Sequence, residues 1–141
     1  MAHAKFDGTY QLTDKDGKNF ENYLVPLGIS YLNRKIATKF NRKITIKSNG
    51  DNSFHLKTES TLKTNEKNVV FGETVKEKRD DGVPIVVKFT YENECIVQVQ
   101  EFEVGGVKRV SKNTWKKIDE HSLRFTLSCE GRECNQIYTR I

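Results

Sequence analysis

The polar residues near the end of the chain, in "CNQIYTRI", are the first candidates for chemistry. If this stretch is a strand, Gln136 and Tyr138 lie on one face together with Cys134 and Arg140. Neither face of such a strand is apolar throughout, as packing into a solid core would require. An amide and a phenol on an inward face could instead hydrogen-bond a partly polar ligand inside a cavity.

The sequence contains no pattern that predicts catalysis or metal binding. It lacks a nucleophile elbow, a phosphate-binding glycine loop and a dinucleotide fingerprint. His3, His55 and His121 fall in the N-terminal tail, on a solvent-facing strand position and in a turn. We therefore expect no enzymatic activity, no cofactor and no bound metal.

The three cysteines do not form a metal-binding pattern either. Cys129 and Cys134 flank the turn "EGRE" and could face each other across a hairpin. Because the chain reads as intracellular, we expect ordinary thiols, with a disulfide as the alternative.

The length of the chain indicates one domain over residues 1–141. No apolar run approaches the roughly 18 residues that would span a bilayer, and the start "MAHAKFDGTY" has no apolar signal core. The net charge is +5, but the basic residues are mixed with acidic ones and no RNA- or DNA-binding signature is present. We expect a cytoplasmic protein that does not bind nucleic acid.

From residue 43 onward, period-two alternation predicts short strands separated by turns. "NGD" at 49–51 is a hairpin turn signal. After it, one predicted face begins apolar at Phe54 and Leu56 and continues through small polar residues to Leu62, as a cavity wall would. Further on, Gln98 and Gln100 share a predicted strand face with apolar neighbours. In a later predicted strand, Phe125 lies on an apolar face. Such regular spacing is typical of an antiparallel sandwich or barrel.

One region departs from alternation, "NFENYLVPLGISYLNRKIATKFN". Its apolar residues recur at helical spacing, and Pro26 and Gly28 interrupt the pattern. The sequence thus predicts one strand, two short helices and about nine further strands.

Several stretches, in order, resemble the intracellular lipid-binding proteins, the family of cytosolic fatty-acid-binding and cellular retinoid-binding proteins. "KFDGTYQL" resembles the family's Phe-x-Gly-x-Trp-x-Leu opening, with Tyr10 in the Trp position. "NFENYLVPLGISYLNRKIA" resembles its helix pair, "LKTESTLKTNEKNVVFGETVKE" resembles two of its middle strands, and "IVQVQEF" and "CNQIYTRI" resemble its late strands. The resemblance implies an all-β, ten-stranded antiparallel up-and-down barrel (a clam), capped by a helix-turn-helix, with a ligand cavity inside.

The resemblance also implies where the ligand's head group lies. In fatty-acid binders the last strand carries Arg-x-Tyr, and a second Arg comes from two strands earlier. Here the first Arg position is Gln136, followed by Tyr138, while the second falls on Lys117 or Lys116. If Lys117 faces the cavity, Trp115 does too, because the two share parity. Gln100 would assist through water, and Phe125 would line the cavity.

Gln in place of Arg leaves the ligand open. The resemblance implies intracellular transport of a long-chain hydrophobic ligand, most simply a fatty acid. A retinoid or another neutral lipid is the alternative, because Gln offers only a neutral amide. A lipid-dependent regulatory or interaction module is a third reading.

The resemblance further implies an entrance near Leu62 and Asp81, the latter an inward acid. Basic residues at the cap end, Arg34, Lys35 and Arg42 among them, resemble a surface that contacts anionic membranes transiently. We expect a monomer, and the resemblance also allows nuclear entry.

Overall fold

The computed structural model describes residues 1–141, and the order of its elements confirms the predicted strand, helix pair and nine further strands. A short 3-10 helix, Ala2–Phe6, precedes them. The helices are α1 (Gly17–Leu24) and α2 (Tyr31–Ala37). The strands are β1 (Gly8–Asp14), β2 (Arg42–Gly50), β3 (Ser53–Ser60), β4 (Thr64–Val70), β5 (Thr74–Lys78), β6 (Pro84–Glu92), β7 (Cys95–Val104), β8 (Val107–Lys117), β9 (Ser122–Cys129) and β10 (Arg132–Arg140).

All ten strands form one antiparallel sheet in the order β4-β3-β2-β1-β10-β9-β8-β7-β6-β5. The first and last strands are therefore neighbours, and β4 and β5 form the two edges. The sheet curls so far that the edges face each other, because Lys67 Nζ on β4 lies 3.3 Å from a carboxylate oxygen of Glu77 on β5. This curled half-barrel confirms the predicted all-β barrel class.

The predicted inward face of β3 is correct only as far as the strand extends. Phe54 is buried, and Leu56 packs partly buried against the same apolar cluster. The strand ends at Ser60, whose backbone N–H donates to the Lys63 carbonyl at 2.8 Å. Leu62 consequently lies in the following turn and is 75% exposed, so its predicted place on the inner face is wrong.

The two helices are separated at the predicted break. Gly28 adopts φ +79°, a conformation that favours glycine. Arg79 donates to the Leu27 carbonyl at 2.8 Å, and Arg109 donates to the Pro26 carbonyl at 2.6 Å. Two arginines from the barrel thus hold the segment between the helices. Neither helix is long and apolar enough to cross a membrane.

The N-terminal segment covers one end of the barrel. His3 is 2% exposed, and its Nε2 lies 2.9 Å from the Ser53 carbonyl oxygen. Its ring contacts the aromatic rings of Phe54, Phe71 and Tyr91. His3 is therefore part of the packed interior, and its placement in an N-terminal tail is corrected.

Cys129 and Cys134 are free thiols, as is Cys95. Although both lie on the β9–β10 hairpin, Cys129 is opposite Arg132 and Cys134 is opposite Leu127. The register thus offsets the two sulfurs from each other.

Candidate functional site

The last strand directs its amide and phenol into the barrel. Gln136 is 2% exposed and Tyr138 is fully buried. Their partners across the β9–β10 ladder are Phe125 and Leu123, which are buried on the same face. The predicted inward orientation of Gln136 and Tyr138 is therefore observed.

Two polar atoms of these side chains are buried without a hydrogen-bond partner. Gln136 Nε2 donates to the Lys15 carbonyl at 3.1 Å, but Gln136 Oε1 has no donor, and Tyr138 Oη is likewise unpaired. Leaving a buried polar group unsatisfied costs about 1–3 kcal/mol. A polar group of a bound molecule, or water, would remove that cost, so these atoms are candidate contacts for a ligand head group.

A small cavity of about 50 Å³ lies beside Gln136 under the helical cap. The residues that line it come from the first third of the chain and from β10; they are Leu12, Lys15, Phe20, Ala37, Phe40, Arg42 and Gln136. Its two charged lining residues, Lys15 and Arg42, are both basic. The volume suits a head group, whereas pockets for whole drug-sized ligands are about 300–1,000 Å³.

The Tyr138 phenol is held in its neutral form. Burial raises its pKa, and the nearby Arg42 guanidinium opposes that rise only in part. At neutral pH the Tyr138 hydroxyl can therefore donate one hydrogen bond and also accept one.

An aromatic wall flanks the two polar groups. Trp115 and Phe125 stack with their centroids 3.7 Å apart, and Trp115 meets the Tyr138 ring edge-on at 5.2 Å. Trp115, Phe125 and Gln136 lie in one row across β8, β9 and β10. Their proximity agrees with the inward parity predicted for Trp115.

The ladder register gives Lys117, and not Lys116, the inward parity on β8. Lys116 is opposite the exposed Arg124, whereas Lys117 is opposite the fully buried Leu123. However, Lys117 Nζ donates to the Glu120 carbonyl at 3.1 Å, in the turn after β8. Desolvation lowers the Lys117 pKa. The register thus places Trp115 in the row of Gln136 and Lys117 in the row of Tyr138.

A buried polar network lies on the inner face of β7 and β8. Tyr23 of α1 places its Oη 2.6 Å from Ser111 Oγ, and Asn113 Nδ2 donates to Gln98 Oε1 at 3.0 Å. Ser111 also donates to Asn113 Oδ1 at 3.1 Å. The sequence analysis missed Ser111 and Asn113, although their parity with Trp115 was available as a signal.

Gln100 lies on the same inner face, opposite Val87 and Ser111. It is half-buried and its side chain forms no hydrogen bond within the protein. The amide is therefore free to bind water or a ligand.

The predicted entrance residues lie in two turns that touch. Lys63 Nζ donates to Asp80 Oδ1 at 2.9 Å and so joins the turn containing Leu62 to the turn containing Asp81. Asp81 is exposed rather than an inward acid, and both its carboxylate oxygens accept from Arg79, at 3.0 and 2.7 Å. These hydrogen bonds lower the Asp81 pKa.

Arg42 has a position that the sequence analysis did not assign to it. It appeared there as part of the basic cap end, yet it lines the cavity beside Gln136. Its parity with Ile44 and Ile46, each 2% exposed on β2, was the available signal.

Comparisons with known proteins extend over nearly the whole chain. Retinoid-binding protein 7 of Mus musculus is 33% identical over 139 residues, covering 97% of this chain and 98% of its own. A fatty acid-binding protein of Tyrophagus putrescentiae is 31% identical over 138 residues, with 97% and 98% covered. The structure of the Schistosoma mansoni fatty acid binding protein in complex with arachidonic acid superposes with a TM-score of 0.86 over 100% of this chain and 99% of that chain, at 22% identity, which supports the fold. No family model matches the chain.

Proposed function

Because this chain belongs to the intracellular lipid-binding protein family, we propose that it binds and transports a long-chain lipid, most simply a fatty acid. Residues 1–141 would act as one lipid-binding domain. The observation that carries the proposal is the pair of unpaired polar atoms, Gln136 Oε1 and Tyr138 Oη, buried on an inward face. A ligand carboxylate would accept from the Tyr138 hydroxyl, and a ligand hydroxyl would donate to Gln136 Oε1.

The alkyl chain would extend from this site along the inner face of the sheet. Inward residues on β3 and β7, such as Leu56, Thr58 and Gln100, are only half-buried, so this part of the interior is accessible. Each buried methylene would contribute about 0.8 kcal/mol. Since the cavity at Gln136 is only head-group sized, inner side chains and the cap must move when the chain enters.

Trp115 and Phe125 would contact the ligand near the head group, and Gln100 would reach it through water. Leu62 would contact it at the entrance, beside the Arg79–Asp81 pair that lies next to the cap. Lys117 would contribute only if its ammonium left the Glu120 carbonyl.

A retinoid or another neutral lipid is the second candidate, because a hydroxyl could donate to Gln136 Oε1. One relative is named as a retinoid-binding protein and another as a fatty acid-binding protein. A lipid-dependent regulatory or interaction module would use the same site. The family is one of binding and transport proteins, and we propose no catalytic role.

Native mass spectrometry of the purified protein, with extraction and identification of any co-purified molecule, tests the proposal. A bound fatty acid, or uptake of added oleate at one or two per chain, supports it. Uptake of retinol but not of any fatty acid would favour the second candidate. A protein that takes up no lipid of any kind would refute both.

We also propose transient contact with anionic membranes through the cap. Tyr31 and Leu32 of α2 are 66% and 67% exposed, and Arg34 and Lys39 lie near them. Such a patch gains about 1 kcal/mol per basic residue close to an anionic surface. Co-sedimentation with phosphatidylserine vesicles, but not with phosphatidylcholine vesicles, is the expected result.

We further propose that the protein acts in the cytoplasm as a monomer and that it can also enter the nucleus.

A further inference from the structure

We infer that Arg42, from β2, is the cation of an anionic head-group subsite completed by Gln136 and Tyr138, so that the protein prefers a lipid acid to the matching alcohol. The inference rests on the proposed function and specifies the ligand of that site. It places the charge on the second strand, where the resemblance predicted it on Lys116 or Lys117 of β8.

The geometry brings Arg42 to the unpaired atoms. Arg42 shares the inner face of β2 with Ile44 and Ile46, and it lines the same cavity as Gln136. Gln136 is 2% exposed and its Oε1 has no donor. A cation and an unpaired buried amide therefore border one space of head-group size.

Unlike Lys67 and Arg79, Arg42 has no acidic partner. Lys67 is paired with Glu77, and Arg79 is held by Asp81. No ion pair within the protein includes Arg42, and its guanidinium lies close enough to the Tyr138 hydroxyl to oppose the rise of that phenol's pKa. No acidic residue lines the cavity, and Lys15 adds a second basic residue.

The donors and acceptors can be allocated without conflict. A guanidinium has five N–H donors, so Arg42 can serve both Gln136 Oε1 and a carboxylate. The neutral Tyr138 hydroxyl donates to the same carboxylate. The hydroxyl of an alcohol would donate to Gln136 Oε1, and its binding would not require the guanidinium.

The test compares Arg42→Met with Lys43→Met, the adjacent residue on the opposite face of β2, using oleate and oleyl alcohol as probes. A hydrogen bond to a charged group contributes about 1.5–3 kcal/mol, so Arg42→Met should weaken oleate about tenfold to a hundredfold. Oleyl alcohol should change less than threefold, and Lys43→Met should leave both within threefold. Unchanged oleate affinity in Arg42→Met, or equal weakening of acid and alcohol, would overturn the inference.

A second measurement does not depend on that variant folding. In ¹³C NMR of carboxyl-labelled oleate bound to the unmodified protein, the head group should stay ionised well below the pH at which an exposed carboxylate titrates, because a guanidinium beside a carboxylate lowers its pKa by about 1–3 units. Arg42→Lys, which keeps a charge, should retain part of this shift. A bound carboxyl with an ordinary pKa would refute the subsite while leaving lipid binding intact. Failure to bind either probe would refute the proposed function itself.

Discussion

Lys67 on β4 and Glu77 on β5 form an ion pair 3.3 Å long between the two edges of the sheet, which no ladder of hydrogen bonds connects. The Lys67 ammonium also lies 5.1 Å from the centroid of the Phe89 ring. Both partners are about a quarter to a third exposed, so water reaches the pair. Side chains alone therefore hold the two edges together at this point.

Replacing Glu77 by Gln should loosen these edges without unfolding the protein. The pair is partly exposed, so its loss should lower the free energy of unfolding by less than about 1 kcal/mol. Amide hydrogen exchange should nevertheless accelerate in β4 and β5 by several-fold, with little change in β9 and β10.

The exposed pair Lys63–Asp80 supplies the control. Its side chains are 58% and 84% exposed, and it joins turns rather than strands. Asp80→Asn should leave exchange in β4 and β5 as it is. Equal acceleration in both variants would show that any charge removed near this edge has the same effect.

Tyr23→Phe should reduce stability and flatten its alkaline pH dependence. Loss of the buried hydroxyl, 2.6 Å from Ser111 Oγ, should cost about 1–2 kcal/mol at pH 8. Burial raises the Tyr23 pKa to about 12, against about 10 in an unfolded chain. The stability linked to Tyr23 is thus complete below pH 10 and is lost as the pH rises toward 12.

Urea unfolding followed by Trp115 fluorescence between pH 8 and 11 measures this effect. The unmodified protein should lose stability more steeply above pH 10 than Tyr23→Phe does. Parallel curves for the two proteins would mean that other groups, such as Cys134 with its raised pKa, account for the whole alkaline slope.

His3→Ala should destabilise the fold by about 2–3 kcal/mol, because it leaves a cavity beside Phe54 and Phe71 and removes the contact with the Ser53 carbonyl. His55 provides the matched control, since its side chain is 42% exposed and bonds only Glu66. His55→Ala should change stability by less than about 0.5 kcal/mol. Similar unfolding midpoints for the two variants would contradict the packed position of His3.

Gly28→Ala should destabilise the cap by about 1–2 kcal/mol. A Cβ at this position would meet Val104 Cγ1 at 3.0 Å, and the backbone has φ +79°. Gly17→Ala is the contrasting variant, because nothing lies within 4 Å of a Cβ there and the residue belongs to α1. It should stabilise the protein by up to about 1 kcal/mol. Thermal unfolding of both variants gives the comparison.

The alternation of side chains made the strands predictable, and Pro26 and Gly28 made the break between the helices predictable. Inward parity was also readable for Gln136 and Tyr138. What parity could not give is where a long side chain ends. Lys117 has inward parity, yet its four-carbon stem carries the ammonium to the Glu120 carbonyl.

Burial that depends on contacts between distant parts of the chain could not be predicted either. His3 lies in a segment too short for any periodicity, and its burial depends on aromatic residues from β3, from the β4–β5 turn and from β6.

A local contact explains the error at Asp81. Asp81 was expected to point inward, but Arg79 pairs with it in the turn. Arg79 is two residues away in the same turn, and it pairs with Asp81 through Nε and one Nη while the other Nη donates to the Leu27 carbonyl.

The adjacency of β1 and β10 has a consequence for how the protein is made. The strand that leaves the ribosome first keeps one edge unpaired until the tenth strand arrives, and pairings this distant in sequence fold slowly. A nascent chain interrupted before β10 would lack Gln136 and Tyr138 and would also expose sheet edges that invite aggregation. Lipid capture would therefore begin only once β10 has joined the sheet, so ligand binding would report that the sheet is complete.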